Sequence, residues 1–302
     1  MSYSADTVVI LGLGLIGGSL ARALRQSGFS KRFIGYGHRE PSLKRGVELG
    51  VIDDFTLDLD EAIDQADILV LCAPTLIAAD MLRDILPRLA GRKNTPIITD
   101  VASVKGNLRD AAIDAVGQMP PQLVLAHPIA GSEQSGVDAS SAELFVNHRV
   151  ILTPDEANDP AAVELIRSMW ASTGAEVVDM AVAEHDTVLA ATSHLPHLLA
   201  YALVDALAKS PGSEDIFRFA AGGFRDFTRI ASSDPAMWRD IAIANKPALL
   251  DAIDMFSAQL AQLRRAVADG DGEQLYTTFT RAKTARDTFS AILAVRNQGK
   301  QS

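Results

Sequence analysis

The 302-residue sequence has a single cysteine, Cys72, few aromatic residues (6%) and no excess of positive charge. A lone cysteine cannot form an intrachain disulfide, which argues against a disulfide-stabilised secreted domain and favours a reducing compartment. With 28 basic against 38 acidic residues, the formal net charge is −10. Such a chain repels phosphate backbones and anionic lipid surfaces, so we expect no nucleic-acid partner and no membrane partner.

Long hydrophobic runs are also missing. Because Asp, Glu, His or Arg recur throughout, no window approaches the roughly 18 to 20 uninterrupted apolar residues of a transmembrane helix. The N-terminal segment MSYSADTVVILGLG has no basic stretch and runs directly into glycines, unlike a secretory signal peptide. These features predict a cytoplasmic protein, and the length suggests two domains of about 150 residues each.

Short β-branched runs alternate with amphipathic stretches up to about residue 180. The runs are TVVIL, RFIGY, ADILVLCAP, TPIITD, LVLAHP and RVILTP. This alternation is typical of βαβ crossovers and a largely parallel, doubly wound sheet. Over 181–207, 237–268 and 273–295, apolar residues recur instead at spacings of three and four, which predicts helices. We therefore predict an α/β domain over residues 1–180 and an all-helical domain over residues 181–302.

A glycine-rich loop follows the first predicted strand. Gly12, Gly14 and Gly17 form a GxGxxG pattern between that strand and the helix-forming segment GSLARAL. In this context the first glycine permits a tight turn, the second lets the backbone approach a pyrophosphate, and the third lets helix and strand pack. The pattern predicts a Rossmann-type domain that binds a dinucleotide. The alternative is that the glycines only serve a tight turn.

The end of the second predicted strand bears on the choice of cofactor. An Asp or Glu about 20 residues past the glycines usually binds the ribose of NAD, but here the position is Gly37, followed by His38 and Arg39. With no carboxylate to repel a 2′-phosphate and a guanidinium available to bind it, the sequence favours NADP, while NAD stays possible because Arg39 could be a solvated turn residue. We assign cofactor binding to Gly12, Leu13, Gly14, Leu15, Ile16, Gly17, His38, Arg39, Ala73, Pro74 and Ser103.

Two polar segments follow later strands, where open α/β sheets bind ligands. They are DVASVKG, with Ser103, and AHPIAGSE, with His127. A histidine that ends a strand can take a proton from an alcohol while hydride leaves the same carbon. Ser103 could bind a substrate hydroxyl. The alternatives are that Ser103 or Asp100 caps the next helix and that His127 is structural.

Three further histidines, His185, His194 and His197, lie in EHDTVLAATSHLPH. Pro196, between the last two, would kink a helix and free backbone carbonyls. A metal site at His194 and His197 lacks a third ligand at a convincing spacing, so we expect no metal.

Asp226 and Arg229 lie three residues apart in GGFRDFTR. If that segment is helical, the two side chains share a face and the aspartate can orient a guanidinium that binds a carboxylate. The alternative is a surface ion pair that contributes less than ~1 kcal/mol.

Taken in order, these motifs resemble the prephenate and arogenate dehydrogenase family over nearly the whole chain. The matching segments are GLGLIGGSLA, DVASVKG, HPIAGSEQSGV, EHDTVLAATSHLPH and GGFRDFTRIASSDPAMWRDI. The resemblance implies an N-terminal Rossmann-type domain and an all-helical C-terminal dimerisation domain, so that the protein is a homodimer. It also implies that a cyclohexadienyl alcohol, prephenate or arogenate, is oxidised by a nicotinamide cofactor with loss of carbon dioxide, in tyrosine biosynthesis.

The same resemblance implies roles for individual residues. His127 would accept a hydrogen bond from the ring hydroxyl, assisted by Ser103, and Arg229 would bind a substrate carboxylate. Further residues implied at the substrate site are His197, Asp226, Glu133 and Trp238. His185 and His194 match family positions without a defined role. Gly37 departs from the NAD-using pattern of the family, where an acidic residue is common.

Two other functions are compatible with a dinucleotide-binding fold. One is a different NADP-dependent hydroxyacid dehydrogenase that uses a lysine in the helical domain, and the histidine motifs argue against it. The other is a non-catalytic dinucleotide sensor, which would have no use for His127, Ser103 and Arg229 together.

Overall fold

In the computed structural model, which describes residues 4–131 and 134–298, six parallel strands form the main sheet in the order β3-β2-β1-β4-β5-β6. The strands are β1 (Ala5–Leu11), β2 (Ser30–Tyr36), β3 (Asp54–Thr56), β4 (Ile68–Leu71), β5 (Ile97–Asp100) and β6 (Leu123–Val124). The strand order reverses between β1 and β4, which opens a crevice at their carboxyl ends. The predicted doubly wound α/β fold is confirmed.

The sheet is covered on both faces. Every residue of β4 is buried, as expected for a central parallel strand with helices on either side. Along β1, Val8 and Ile10 belong to one apolar cluster and Val9 and Leu11 to the other. The alternation of side chains along each strand therefore divides the core between two layers of helices.

In the described part of the first 180 residues, six helices accompany the strands. They are α1 (Leu15–Ser27), α2 (Glu40–Glu48), α3 (Leu59–Asp64), α4 (Thr75–Arg88), α5 (Gly106–Val116) and α6 (Pro160–Ser172). A 3-10 turn at Val137–Ala139 packs near α1.

The segment LVLAHP differs from the single strand that its sequence predicts. It is divided between β6 in the main sheet and β7 (Ala126–Pro128) in a second sheet of order β7-β8-β9, with β8 (Arg149–Leu152) and β9 (Glu176–Asp179). The chain passes from the main sheet to the second sheet at Ala126, because the backbone of this residue forms hydrogen bonds with side chains and not with a neighbouring strand of the main sheet. Its N–H donates to Asp100 Oδ1 (3.0 Å), and its carbonyl accepts from Lys105 Nζ (2.7 Å).

The chain beyond β9 is helical, as predicted. Its elements are α7 (Val182–Leu189), a π-helical turn (Ala190–His194), α8 (Leu195–Ala208), α9 (Ser213–Arg218), α10 (Gly222–Thr228), a 3-10 turn (Arg229–Ser232), α11 (Pro235–Ala244), α12 (Lys246–Asp269) and α13 (Gly272–Gln298). The π-helical turn directly precedes Pro196, in keeping with the kink expected there.

The stretch 237–268, predicted to be helical from its periodicity, contains two consecutive helices. The break falls at Asn245, between α11 and α12. Pro247 explains the new start, because proline has no amide hydrogen to donate and fits the first turn of a helix.

The helical stretch Val182–Ala208 is long and apolar enough to cross a membrane by length and composition, with a mean hydropathy of 1.3. Core helices of soluble proteins pass the same test, so this single helix is weak evidence for a membrane span.

Contacts between Cα atoms divide the chain into two compact units, Met1–Leu249 and Leu250–Ser302. The first contains both sheets and the helices through α11. The second contains the remainder of α12 and α13. The change from strands to helices follows β9, whose last residue is Asp179. The domain boundary at residue 180 stays a prediction.

We expect Trp170→Ala to lower the free energy of unfolding by about 3–5 kcal/mol, because it empties a large volume in the core. The Trp170 side chain is fully buried, and its ring meets Phe145 edge-on with centroids 5.2 Å apart. Urea titration measures the effect. The control, Leu57→Ala, removes a side chain that is 54% exposed and should change stability by less than about 0.5 kcal/mol. Equal losses in the two variants would contradict this description of the core.

Candidate active site

The loop between β1 and α1 has the backbone geometry of a phosphate-binding turn. Gly12 has φ of +102°, and a Cβ there would lie 2.6 Å from the carbonyl oxygen of Cys72. A Cβ at Gly17 would lie 2.6 Å from the Gly12 carbonyl oxygen. The Cβ position of Gly14 is open, and α1 begins with no side-chain cap. The loop therefore leaves space and helix N-terminal amides for an anion, which fits a dinucleotide pyrophosphate.

The end of β2 presents basic residues. Gly37 and His38 follow the strand, and Arg39 is the exposed N-cap residue of α2. Arg39 makes no ion pair within residues 4–131 and 134–298. The next cations on α2 are paired, Lys44 with Glu40 (3.0 Å) and Arg45 with Asp138 (2.9 Å).

Ala73 and Pro74 lie at the same edge of the sheet. They follow β4, whose neighbour β1 leads into the glycine loop, and Pro74 is the N-cap residue of α4. Both are close to Cys72, whose amide donates to the Leu11 carbonyl at 2.8 Å. Burial raises the pKa of the Cys72 thiol, so this sulfur is an uncharged packing group.

His127 lies in β7, beside a buried ion pair. The Lys105 ammonium contacts the Asp100 carboxylate, and both side chains are fully buried. As described above, both groups also bind the backbone of Ala126, the residue before His127. The pair therefore holds the start of β7 in position.

His127 is the first member of a chain of polar side chains. Its Nδ1 is 2.8 Å from His185 Nε2, and His185 Nδ1 is 2.8 Å from Asp186 Oδ1. Asp186 also accepts the amide N–H groups of Lys105 (2.9 Å) and Gly106 (2.8 Å) at the start of α5. No described residue is hydrogen-bonded to His127 Nε2, which leaves that nitrogen for a substrate.

Asn245, in the break between α11 and α12, connects this chain to a second histidine. Its side-chain amide donates to the Asp186 carbonyl (2.8 Å) and lies 3.0 Å from His194 Nδ1. Since an amide nitrogen only donates, His194 Nδ1 accepts.

His197 and Trp238 form a stacked pair, with ring centroids 3.5 Å apart and planes inclined by 19°. His197 Nδ1 donates to the Ser193 carbonyl at 2.9 Å. Trp238 Nε1 is buried and has no hydrogen-bond partner in the described part of the chain. Arg229 lies close enough to His197 to contribute to lowering its pKa, although burial is the main cause.

Other residues assigned from the sequence have different surroundings. Ser103 is half-buried, and neither it nor Asp100 caps α5, because Asp186 accepts the first amides of that helix. The ion pair of Asp226 is with Arg225 at 3.5 Å, not the expected i, i+3 pair with Arg229. Glu133 lies outside the described residues.

The histidines are held neutral. Burial, followed by His185, Lys105 and His194, keeps the pKa of His127 well below 6.5. Burial also lowers the pKa of His185, and it lowers that of His194 to about 4. Burial raises the pKa of Asp186, but hydrogen bonds from His185 and two backbone amides outweigh it, so the pKa of this carboxyl is lowered.

Three residues of this network, Lys105, Asp186 and Asn245, were not assigned from the sequence. Lys105 belongs to DVASVKG and Asp186 to EHDTV, two motifs already identified. The Lys105 side chain binds Asp100 and the Ala126 carbonyl, and Asp186 binds the first amides of α5. Asn245 lies inside the stretch 237–268, whose apolar periodicity predicts helix throughout. An Asn followed by Lys-Pro was the available signal for the break.

Comparisons with known proteins agree on one family. Residues 20–179 match the family model for the prephenate dehydrogenase nucleotide-binding domain, and residues 181–281 match that for the prephenate dehydrogenase dimerization domain. The chain is 39% identical to a prephenate dehydrogenase of Bacillus subtilis (95% of this chain, 77% of that protein) and 38% identical to a cyclohexadienyl dehydrogenase of Zymomonas mobilis (92% and 94%). A crystal structure of prephenate dehydrogenase from Aquifex aeolicus with hydroxyphenyl propionate and NAD+ superposes with a TM-score of 0.86 at 37% identity (96% and 100% covered).

We expect stability to fall as the pH drops from about 6.5 to about 4, because unfolded His194 binds a proton that the folded side chain excludes. Above this window the side chain is neutral in both states, and below it both states are protonated, so the loss stops. The change is about 3 kcal/mol in the free energy of unfolding. His127 and His185, whose pKa values are also lowered, act in the same direction.

Urea midpoints of wild type and His194→Gln across this pH range measure the effect. The variant should show a weaker pH dependence, because glutamine does not titrate. His148→Gln, at an exposed histidine, is the control and should follow wild type. Parallel curves for wild type and His194→Gln would contradict the assignment.

Proposed function

The chain belongs to the prephenate dehydrogenase family, and we propose that His127 is the catalytic base of its reaction. The family's reaction is the oxidative decarboxylation of prephenate, arogenate or both, a step of tyrosine biosynthesis. The observation that carries the role of His127 is its Nε2, which no described residue binds, on a neutral imidazole whose other nitrogen is held by His185.

In the proposed reaction, His127 Nε2 takes the proton of the substrate's ring hydroxyl. A bound nicotinamide supplies the acceptor for the hydride that leaves the same carbon. The bond between the ring and its carboxylate then breaks, and carbon dioxide leaves. The electron pair of that bond makes the ring aromatic as a phenolate, whose oxygen takes the proton back from His127 Nε2. The protein holds the reacting carbon in position against the nicotinamide and removes one proton from the hydroxyl group.

We propose that Arg229 binds a substrate carboxylate, with His197 and Trp238 lining the pocket. Arg229 lies close to His197, and the indole N–H of Trp238 has no partner among the described residues; both observations support this assignment. Ser103, at the end of β5, is proposed to assist His127 at the hydroxyl. Asp226 and Glu133 are proposed to belong to an ionic network that gates the site. Acceptance of both prephenate and arogenate is part of the proposal.

The nicotinamide cofactor binds the glycine loop, and we propose that NADP is preferred. Gly37 provides no carboxylate to oppose a 2′-phosphate, and Arg39 is an unpaired cation beside it within the described residues. His38, Ala73 and Pro74 are proposed to line the same site.

We also propose a cytoplasmic homodimer formed through the helical domain, with no nucleic-acid or membrane partner. The dimerization-domain match over residues 181–281 supports this assembly. Large apolar side chains are exposed along α12 and α13, namely Met255, Leu260, Tyr276, Phe279 and Phe289.

We expect His127→Asn to lower kcat by about 100-fold or more, the usual contribution of a general base, because asparagine cannot take the proton. Cofactor affinity should be unchanged, since the glycine loop is separate from β7. Steady-state kinetics with prephenate and fluorescence titration with NADPH measure the two quantities. A kcat equal to that of wild type would remove His127 from the mechanism.

We expect Arg39→Ala to raise the KM for NADP about tenfold or more and to leave the KM for NAD within about twofold, because only NADP carries the 2′-phosphate. The matched control is Lys44→Ala, which removes a cation already paired with Glu40 and should alter neither value. Equal effects of Arg39→Ala on both cofactors would contradict a 2′-phosphate contact.

A further inference from the structure

The contacts of Asp186 fix its charge and its orientation. One carboxylate oxygen accepts the Lys105 amide and the other accepts the Gly106 amide, so the group occupies the N-terminus of α5. A helix N-terminus favours negative charge, and the side chain of Asp186 is only 13% exposed. Asp186 is therefore an ionised carboxylate with a fixed position, and an ionised carboxylate can only accept hydrogen bonds.

The charge of Asp186 determines the protons along the chain. Because Asp186 Oδ1 accepts, His185 Nδ1 carries a hydrogen. His185 is neutral, so its Nε2 is bare and accepts from His127 Nδ1. A neutral His127 with a hydrogen on Nδ1 has a bare Nε2. One carboxylate thus selects the tautomer of both rings.

We propose that His185 and Asp186 are positioning residues of the reaction, which hold His127 as the Nδ1–H tautomer with Nε2 ready to accept the substrate's hydroxyl proton. This inference rests on the proposed function, since the tautomer matters only if His127 is the base.

The same arrangement stabilises the charge that develops on His127. When Nε2 gains the proton, the imidazolium still donates from Nδ1 to His185, and the negative charge of Asp186 lies beyond that ring. Asp186 does not take the proton. The opposing cation, Lys105, is already paired with Asp100, so its repulsion is reduced.

Asp186→Asn tests the proposal, because the amide keeps the size of the side chain and can still accept from His185 at one position, but it removes the negative charge that stabilises the imidazolium of His127. We expect kcat to fall at least about 100-fold, in keeping with the loss of an orienting carboxylate behind a catalytic histidine. The KM values for prephenate and for the cofactor should stay within about twofold. The matched control is Asp110→Asn, at an exposed aspartate on α5 paired with Arg109, and its kcat should equal that of wild type.

Two variants of His185 keep the test open if Asp186→Asn does not fold. His185→Phe fills the same space but accepts no hydrogen bond, and we expect it to lose kcat as Asp186→Asn does. His185→Gln has an amide oxygen that can accept from His127 Nδ1, so it should retain more activity than His185→Phe. Equal kcat in the two variants would show that His185 only fills space.

A spectroscopic measurement separates positioning from a merely structural role. ¹⁵N spectra of the histidine-labelled enzyme, with the His127 signals assigned by their loss in His127→Asn, report which ring nitrogen carries the hydrogen. We expect Nδ1–H in wild type and in His185→Gln, and Nε2–H in His185→Phe, where position 185 offers no acceptor to His127 Nδ1. An unchanged tautomer in folded His185→Phe would overturn the proposal.

The double variant distinguishes failure of this inference from failure of the proposed function. If Asp186 acts through His127, then adding Asp186→Asn to His127→Asn lowers kcat no further. If His127→Asn is inactive but Asp186→Asn and His185→Phe keep wild-type kcat, the positioning role of His185 and Asp186 is wrong. The assignment of His127 as the base then stands. If His127→Asn itself keeps wild-type kcat, the proposed function of His127 fails first.

Discussion

The hydrogen bonds between the Asp186 carboxylate and the first amides of α5 are the contact on which the site depends. They join the first helix after β9 to the carboxyl edge of the main sheet, across about 80 residues of sequence. Because α7 is fixed there, His185 reaches His127, and the following π-helical turn and α8 bring His194 and His197 to the same region. These contacts bring residues of the dinucleotide-binding fold and residues of the helical segment together in one site.

The buried pair of Asp100 and Lys105 is the second constraint. Burial of two charges is costly unless they are paired and hydrogen-bonded, and here both also bind the backbone of Ala126. The pair ends the pairing of β5 with β6 and directs the chain into β7. It also places a cation near His127, which helps to keep that imidazole neutral. Burial is the main cause of the lowered pKa of His127, and the pair adds to it while also holding the base in position.

The parts of the site that depend on local sequence were predictable. The glycine loop and His127 could be assigned because a strand, a turn and the following residues are contiguous. Asp186 could not, since its partners lie on α5 and the sequence does not show which helix end approaches it. Asn245 was hidden by apolar periodicity that continues across a break, because the same spacing fits two consecutive helices. β3 and β9 were missed because they are edge strands without an apolar run: β3 has the sequence DFT, and β9 has only two apolar residues between carboxylates, EVVD.

The most direct test of the account is a two-by-two assay of the purified wild-type protein, with prephenate or arogenate against NAD or NADP. Reduced-cofactor absorbance and released carbon dioxide are measured together. The account predicts turnover with at least one substrate, equal amounts of reduced cofactor and carbon dioxide, and faster turnover with NADP than with NAD. Folded protein that binds the cofactor but turns over none of the four combinations would contradict it.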